Sequence, residues 1–361
     1  MIEIQKKLFL PDVAPFQLLQ AEKEKYLCNY LGELMTHHRQ ACQGYDALVG
    51  SWQANLESDY SDLAAYPYVP VSIFKEFELV SSDQDLVVIE SSATTSNNAS
   101  KIFVNKESRK RQALSANTIL QDYVGSKRRP YIVFDLESTV RGAKSFSARG
   151  AAIMALAHLA KKFYFVMKEQ DGQLVVDHDA LNAALQDIDG EPFVAYGFTY
   201  LLYQAHEDIS DLQAHPESCL LHSGGWKKLV DLAVDKTTFN KHVAQSWGLE
   251  PERVIDFYGT VEQVGMAYPD CSAGLKHAPY WADVIVRRTD TLEPAEIGEP
   301  GLIQLVSCLP LSAPNHSVLT EDLGVIHTVD DCACGRKGKA FEFLGRAPKS
   351  EVRGCSDVVR R

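Results

Sequence analysis

Apolar residues recur at helical spacing early in the chain and in short unbroken runs later. From 14 to 65 the pattern is helical: FQLLQAEKEKYLCNYLGELMTHHRQ sets Leu and Tyr three and four positions apart among Glu, Lys and Gln, which predicts amphipathic helix. Tyr66-Pro67-Tyr68-Val69-Pro70 ends that pattern, since proline removes a backbone donor. Leu86-Val87-Val88-Ile89 then reads as a short buried strand with a hydroxyl-rich loop directly after it. Asn105 is placed to cap the next helix, whose apolar stripe would be Ala113, Ala116, Leu120 and Val124.

Strand-like and helix-like segments alternate from there. YIVFDL (131–136) precedes AAIMALAHLA, FYFVMK (163–168) precedes DALNAALQDI, and PFVAYGF precedes TYLLYQAH. CLLHSGG precedes a helix expected near 236–247, and RVIDFYG (253–259) closes the series. Continuous apolar strands between amphipathic helices predict an α/β fold of mostly parallel sheets covered on both faces. Beyond 280, WADVIVRR, GLIQLVSCL, GVIHTV and AFEFLGR follow one another without long helices, so a β-rich C-terminal subregion is expected.

Composition narrows the class. A chain of 361 residues can bury a large core. Its net charge of −12 argues against nucleic-acid binding. The basic groups Lys106, Arg109, Lys110, Arg111 and Lys127, Arg128, Arg129 then read as solvated faces. No apolar run approaches the roughly 20 residues that span a bilayer, and the N-terminus is too interrupted for a signal peptide. Eight irregularly spaced cysteines do not form a secreted disulfide framework, so a reducing, cytoplasmic setting is expected. There Cys28, Cys42, Cys219 and Cys308 read as small buried hydrophobes.

Ligands of parallel sheets bind beyond the carboxyl ends of strands, and two polar motifs fall there. Ser91, Ser92, Thr94 and Thr95 place four hydroxyls and several N–H groups in one turn, a donor density that suits phosphate but also an ordinary polar turn. The phosphate-loop lysine pattern is absent. Tyr258-Gly259-Thr260-Val261-Glu262 offers a hydroxyl for a phosphate and, two residues on, a carboxylate for Mg²⁺; alternatively Thr260 caps a helix. Asp322, in a segment that reads as a loop, could accept from two ribose hydroxyls or serve a turn. Cys271 with His277, and Cys332 with Cys334, supply three thiols and an imidazole, the donor set of a closed structural zinc site; they are otherwise plain reduced thiols.

The order of hydroxyl loop, Tyr-Gly-x-x-Glu, Thr320-x-Asp322 and Gly345-Arg346 resembles the adenylate-forming superfamily of acyl-CoA ligases, peptide-synthetase adenylation domains and firefly-type luciferases. Val69-Pro70-Val71-Ser72-Ile73-Phe74-Lys75, Ser223-Gly224-Gly225-Trp226-Lys227-Lys228 and Glu351-Val352-Arg353-Gly354-Cys355-Ser356 are similar to its acyl-protein synthetase branch. That branch supplies the fatty-acid–protein ligase of the bacterial bioluminescence fatty-acid reductase complex. The resemblance implies an adenylate-forming core over 1–345, divided into a helical part (1–70), α/β sheets (71–280) and a β-rich part (281–345). A tail over 346–361 bears Cys355, and the small C-terminal domain of the wider superfamily is expected to be absent, since fifteen residues follow Arg346.

It also implies roles. Ser91, Ser92, Thr94 and Thr95 would hold the ATP phosphates, Gly225 and Tyr258-Gly259 would line the adenine and acyl side, and Thr260 with Glu262 would serve phosphate and Mg²⁺. Asp322 would bind ribose beside Arg346, and Cys355 would accept the acyl group. Ala93 and Ser96 stand where the family loop has glycine. Arg346, Lys349, Arg353, Arg360 and Arg361 lie near Cys355 in sequence, and positive charge favours the reactive thiolate. The expected activity is ATP-dependent activation of a carboxylic acid, fatty by the resemblance, as acyl-AMP. The acyl group would pass through Cys355 to a partner protein such as a reductase or carrier. A CoA or carrier-protein ligase of the phenylacetate-CoA-ligase-like type, and a degenerate non-catalytic nucleotide-binding subunit, are the competing readings. Tyr196, Phe198, Tyr200 and Trp226 are acyl-pocket candidates or core aromatics, and Lys101 or Lys227 could assist adenylation.

Overall fold

The computed structural model describes residues 8–52, 62–91, 99–140, 148–209, 212–226 and 233–348. The first elements are helices α1 (Gln20–Ala41) and α2 (Gln43–Trp52), strand β1 (Val69–Pro70) and the short helix α3 (Ile73–Glu76). A hairpin of β2 (Val87–Glu90) and β3 (Lys101–Val104) leads into α4 (Lys106–Val124). Then follow β4 (Arg129–Phe134), α5 (Ala148–Ala155), β5 (Ala160–Phe165), the hairpin β6 (Met167–Gln170) and β7 (Gln173–Val176), and α6 (His178–Ile188). Next come β8 (Val194–Phe198), α7 (Thr199–Asp208), β9 (Cys219–Ser223), α8 (Lys236–Ser246) and β10 (Val254–Tyr258). The remainder is strand: β11 (Tyr268–Pro269), β12 (Lys276–His277), β13 (Ala282–Arg287), β14 (Gly301–Ser307), β15 (Ser317–Val329) and β16 (Lys339–Arg346).

One sheet runs β11-β10-β9-β8-β4-β5, parallel throughout except where β11 pairs with β10. Its strands are apolar on both faces because both are covered. Ile132, Phe134, Ala195 and Leu220 pack with Leu181, Leu201, Leu202, Phe239, Val243 and Trp247 of α6, α7 and the α8 region. The alternate residues Tyr131, Val133, Val194, Tyr196 and Leu221 pack with Leu120, Val124, Ile153 and Leu156 on the other side. Register aligns Phe134, Gly197, His222 and Asp256 in one row, so the carboxyl ends of four strands finish level.

The second sheet, β12-β16-β15-β14-β13 with β1 added parallel to β15, is the expected β-rich part. Leu27, Leu31 and Leu34 of α1 pack onto its Trp281, Val284, Ile303, Leu305 and Phe341. Asp283 anchors the same contact with Lys23 at 3.0 Å, Lys339 at 2.8 Å and the Gln20 amide at 2.8 Å. Burial alone would raise the Asp283 carboxyl; the two ammonium groups and the amide hold it below the usual carboxylate range. No helix among the described residues is long and apolar enough to cross a membrane.

Three expectations are corrected. The buried face of α4 is Ser108, Arg111, Gln112, Ser115, Ile119, Leu120 and Val124, while Ala113 is exposed. Its polar members find partners on distant loops, Ser108 with the Ser312 hydroxyl and Ser115 with Trp281 Nε1. The β6–β7 hairpin intervenes between the FYFVMK strand and α6. Residues 319–324 are not a loop: Asp322 lies inside the thirteen-residue β15.

His38 and His316 stack in the core, with ring centroids 5.0 Å apart and planes at 6°. Burial first, then neighbouring imidazoles, lowers both; His38 falls well below 6.5 and His316 to about 3. The unfolded chain protonates these rings near 6.5 and the folded chain does not, so the unfolded state binds more protons below that pH. Their contribution is therefore complete above 6.5 and is lost as pH falls from there towards 3. Urea denaturation at pH 7 and pH 5 should show stability falling, with a smaller fall in His316→Gln. An equal fall in both proteins would contradict this origin.

Candidate active site and cysteine–histidine centre

The level strand ends feed three turns. After β9, Gly224 has φ +82°, and a Cβ there would sit 2.9 Å from Phe198 Cδ1, so the turn requires glycine. Gly225 faces open space, with nothing within 4 Å of an added Cβ. The Thr199 hydroxyl, at the start of α7, donates to the Gly224 carbonyl at 2.6 Å. After β10, the Tyr258 hydroxyl donates to Asp322 Oδ2 at 2.8 Å, and its ring stacks on Phe343 at 4.7 Å and 19°. Burial and then the Asp322 charge raise the Tyr258 phenol well above its ordinary value, so it remains a donor. Burial likewise raises the Asp322 carboxyl. Antiparallel pairing of β15 and β16 sets Asp322 opposite Arg346, whose Nε lies 3.9 Å from Oδ1 and whose side chain is largely exposed.

Thr260 precedes a single helical turn, Val261–Gln263, yet its hydroxyl makes no capping bond. Among the described residues that buried hydroxyl has no partner, so the capping alternative is not realised. The Glu262 side chain is buried, and its charge adds to the rise of the Asp322 carboxyl. Asn315 clamps this turn: its Nδ2 donates to Glu262 O, and Gln263 Nε2 donates to Asn315 O, each at 2.5 Å.

Of the hydroxyl loop, Ser91 stands at the base of the β2–β3 hairpin, accepting from Ser100 N at 2.9 Å and donating its own N–H to Ser100 O at 3.0 Å. Ser92, Thr94, Thr95, Lys227 and Cys355 lie outside the described residues. Lys101 pairs with Glu78 at the surface, 3.0 Å away. Tyr196 is buried and stacks on Phe257, so it is core; Phe198, Tyr200 and Trp226 remain partly buried around α7 and α8.

Cys271, His277, Cys332 and Cys334 converge, with their ligand atoms all within 4.8 Å of one another. Cys271 Sγ and Cys332 Sγ are 3.9 Å apart, and Cys334 Sγ is 3.4 Å from His277 Nε2. A tetrahedral zinc with arms of about 2.3 Å to sulfur sets its sulfurs about 3.8 Å apart, so the spacing and donor set fit. Burial lowers His277 to about 4, which leaves the imidazole neutral as a ligand must be. Burial pushes Cys332 up to about 12 and raises Cys271. For Cys334 burial acts in the same sense but is outweighed by hydrogen bonds from Arg336 N–H and the neighbouring thiols, so its thiol is lowered. The Arg336 guanidinium lies over the Tyr123 and Phe16 rings, at 4.2 and 5.3 Å. Asp330, two residues before Cys332, accepts from Gln20 N at the start of α1 and from Gly338 N at 2.7 Å.

Two features escaped the sequence reading. Asn315 carries no local signal. The group of buried His222, Asp270 and Lys276 with half-buried Asp256 does carry one: a single aspartate interrupts the apolar strand RVIDFYG.

The family model described as acyl-protein synthetase, LuxE, matches residues 2–361. A long-chain-fatty-acid–luciferin-component ligase of Vibrio harveyi is 23% identical over 305 residues, covering 82% of this chain and 77% of the relative. A protein of the same description from Aliivibrio fischeri is 24% identical over 169 residues, 46% and 43% of the two chains. Among solved structures, 2-hydroxyisobutyryl-CoA ligase in its postadenylation state superposes with TM-score 0.69 at 15% identity, over 95% of this chain and 74% of that one. The open form of the same ligase gives 0.66 at 16% identity, over 95% and 81%. These structures establish the adenylate-forming ligase fold.

Replacing Asn315 by Ala removes the donor to Glu262 O while leaving that carbonyl buried. Urea denaturation should show a loss of about 1–3 kcal/mol. A change within error would mean that the clamp contributes nothing.

Proposed function

The chain belongs to the LuxE acyl-protein synthetase family, an ATP-dependent ligase that activates a carboxylic acid as its adenylate and passes the acyl group to a partner; from this premise we propose which of its residues do the work. The observation that carries the assignment is the Tyr258–Asp322 bond at the end of β10, with the buried Thr260 hydroxyl and Glu262 side chain in the turn that follows. We place a catalytic core in 1–345, with a tail over 346–361 that brings the acceptor.

Adenine enters between the open face of Gly225 and the Tyr258 ring. The two ribose hydroxyls donate to Asp322, displacing the Tyr258 hydroxyl, and Arg346 supplies positive charge beside them. Thr260, whose hydroxyl is buried and unpartnered, donates to an α-phosphate oxygen. Ser91, Ser92, Thr94 and Thr95 supply further donors to the phosphates. Glu262 would hold Mg²⁺, which offsets charge on the phosphates when bound. The substrate carboxylate forms a bond to the α-phosphorus as the bond to pyrophosphate breaks. The Cys355 thiolate then attacks the acyl carbonyl carbon, AMP leaves, and a thioester remains. Lys349, Arg353, Arg360 and Arg361, neighbours in sequence, favour that thiolate. The acid we take to be a fatty acid, with Phe198, Tyr200 and Trp226 towards its chain, and the partner a reductase that consumes the thioester.

Carboxylate-dependent exchange of labelled pyrophosphate into ATP, run over an acid panel, should be strongest with fatty acids and fall at least tenfold in Asp322→Ala. Labelled acid with ATP should modify the protein covalently, and Cys355→Ala should abolish that label. Exchange that persists while the label also survives in Cys355→Ala would move the acceptor to another group.

Cys271, His277, Cys332 and Cys334 we assign to zinc, which with four protein ligands and no open position is structural. Metal analysis should find one zinc per chain, lost in Cys332→Ser with a lowered melting temperature. Metal-free protein that is as stable as its Cys332→Ser variant would remove the assignment.

A further inference from the structure

A buried polar chain runs from the Cys271–His277 turn to the Gly224–Gly225 turn. Lys276, adjacent to His277, has its Nζ 2.7 Å from Asp256 Oδ2 and 3.0 Å from Asp270 Oδ1. Asp270, adjacent to Cys271, also faces Lys236 Nζ at 2.6 Å, and that ammonium donates to Gly274 O within the same turn at 2.7 Å. Asp256 lies two residues before Tyr258, in register with His222 on β9. Its Oδ1 is 3.7 Å from His222 Nδ1, too long for a hydrogen bond but close enough to favour an N–H pointing towards it. His222 Nδ1 meets the Thr199 hydroxyl at 3.0 Å, and that hydroxyl reaches Gly224 O at 2.6 Å.

Proton counting fixes the direction of this chain. Gly224 O can only accept, so Thr199 Oγ1 spends its one proton there and accepts from His222 Nδ1–H. The ring is then the neutral Nδ1–H tautomer, consistent with a buried Nε2 that lacks a partner. Burial lowers the His222 pKa, in agreement.

The two ends of this chain resist displacement. Lys276 is buried between Asp270, itself buried, and the half-buried Asp256, and withdrawing it would strand the Asp270 charge in low dielectric, which costs several kcal/mol. Gly224 cannot yield easily either, since its φ is positive and Phe198 closes the space beside it. Movement of the cysteine-bearing turn is therefore carried to the carbonyl that orients the 224–225 peptide.

We propose that Thr199, His222, Asp256 and Lys276 are positioning residues for nucleotide binding, which set the Gly224–Gly225 turn according to the placement of the Cys271–His277 turn. The proposal rests on the reading that Gly225 and Tyr258 flank the adenine. It makes the cysteine–histidine centre a determinant of ATP affinity as well as of stability.

The test measures the ATP dissociation constant of the full chain by calorimetry, without acid, in Thr199→Val, Cys334→Ser and the double variant. Melting curves confirm that each is folded. Each single change should weaken ATP binding, and the double variant should be tighter than the product of the two by about fivefold or more, the scale of a typical coupling. Thr199→Ser should restore binding, which loss of packing alone would not predict. Lys276→Met should bind ATP weakly and no longer respond to Cys334→Ser; if it does not fold, the Thr199 cycle decides. Independent, multiplying effects of Thr199→Val and Cys334→Ser would overturn the proposal while Gly225→Val still weakens ATP binding. ATP affinity unchanged in Gly225→Val would instead remove the adenine placement, and the proposal with it.

Discussion

A buried ammonium group ties the two sheets together, beside the Tyr258–Asp322 bond and the Tyr258–Phe343 stack. Lys276 belongs to β12 of the antiparallel sheet, and Asp256 belongs to β10 of the parallel one; in their contact at 2.7 Å the lysine is buried and the aspartate half-buried. Coulomb attraction between two charges removed from water is strong, but it offsets their desolvation only in good geometry. The joint therefore permits little sliding. Burial opposes both charged forms, yet each partner holds the other ionised, with Asp256 lowered and Lys276 raised. What depends on it is the distance between β10 and β15, because Tyr258 is carried by one sheet and Asp322 by the other. A 2.8 Å bond between those two residues exists only while the sheets keep their relative position.

Much of this arrangement was visible along the chain. Apolar runs separated by amphipathic helices mark a buried parallel sheet because both faces of each strand must be covered, and the described strands β4, β5, β8, β9 and β10 fall where the runs do. The zinc-type donor set was likewise legible, as thiol and imidazole residues are scarce and their chemistry is specific. Misreadings arose where burial is polar. Ser108, Ser115 and Gln112 on α4 look like a solvated face, but hydroxyls and an indole N–H from remote segments satisfy or surround them. Thr320-Glu321-Asp322 looks like a turn because strands seldom carry such a run; here it lies inside β15, with Asp322 paired to Arg346 of β16.

Long-range register is the other thing a linear pattern cannot supply. Phe134, Gly197, His222 and Asp256 are far apart in sequence, and only the parallel pairing sets them side by side. The N-terminal helix shows the same limit. Its apolar stripe announces that α1 is buried, but not that Asp330, next to the cysteine-bearing turn, accepts from its first N–H. Asp283 repeats the lesson, since its two lysines come from opposite ends of the chain.

The Tyr258–Asp322 bond has one more consequence. Asp322 is a half-buried carboxylate that already has a donor, so on the ribose placement proposed above a nucleotide exchanges one donor for others instead of satisfying an empty acceptor. A vicinal diol brings two hydroxyls where the phenol brought one, and gains from the exchange. A 2′-deoxy sugar brings one, and only breaks even at this carboxylate. Preference for the ribo form thus emerges by subtraction, because the tyrosine sets the baseline that any incoming sugar must exceed.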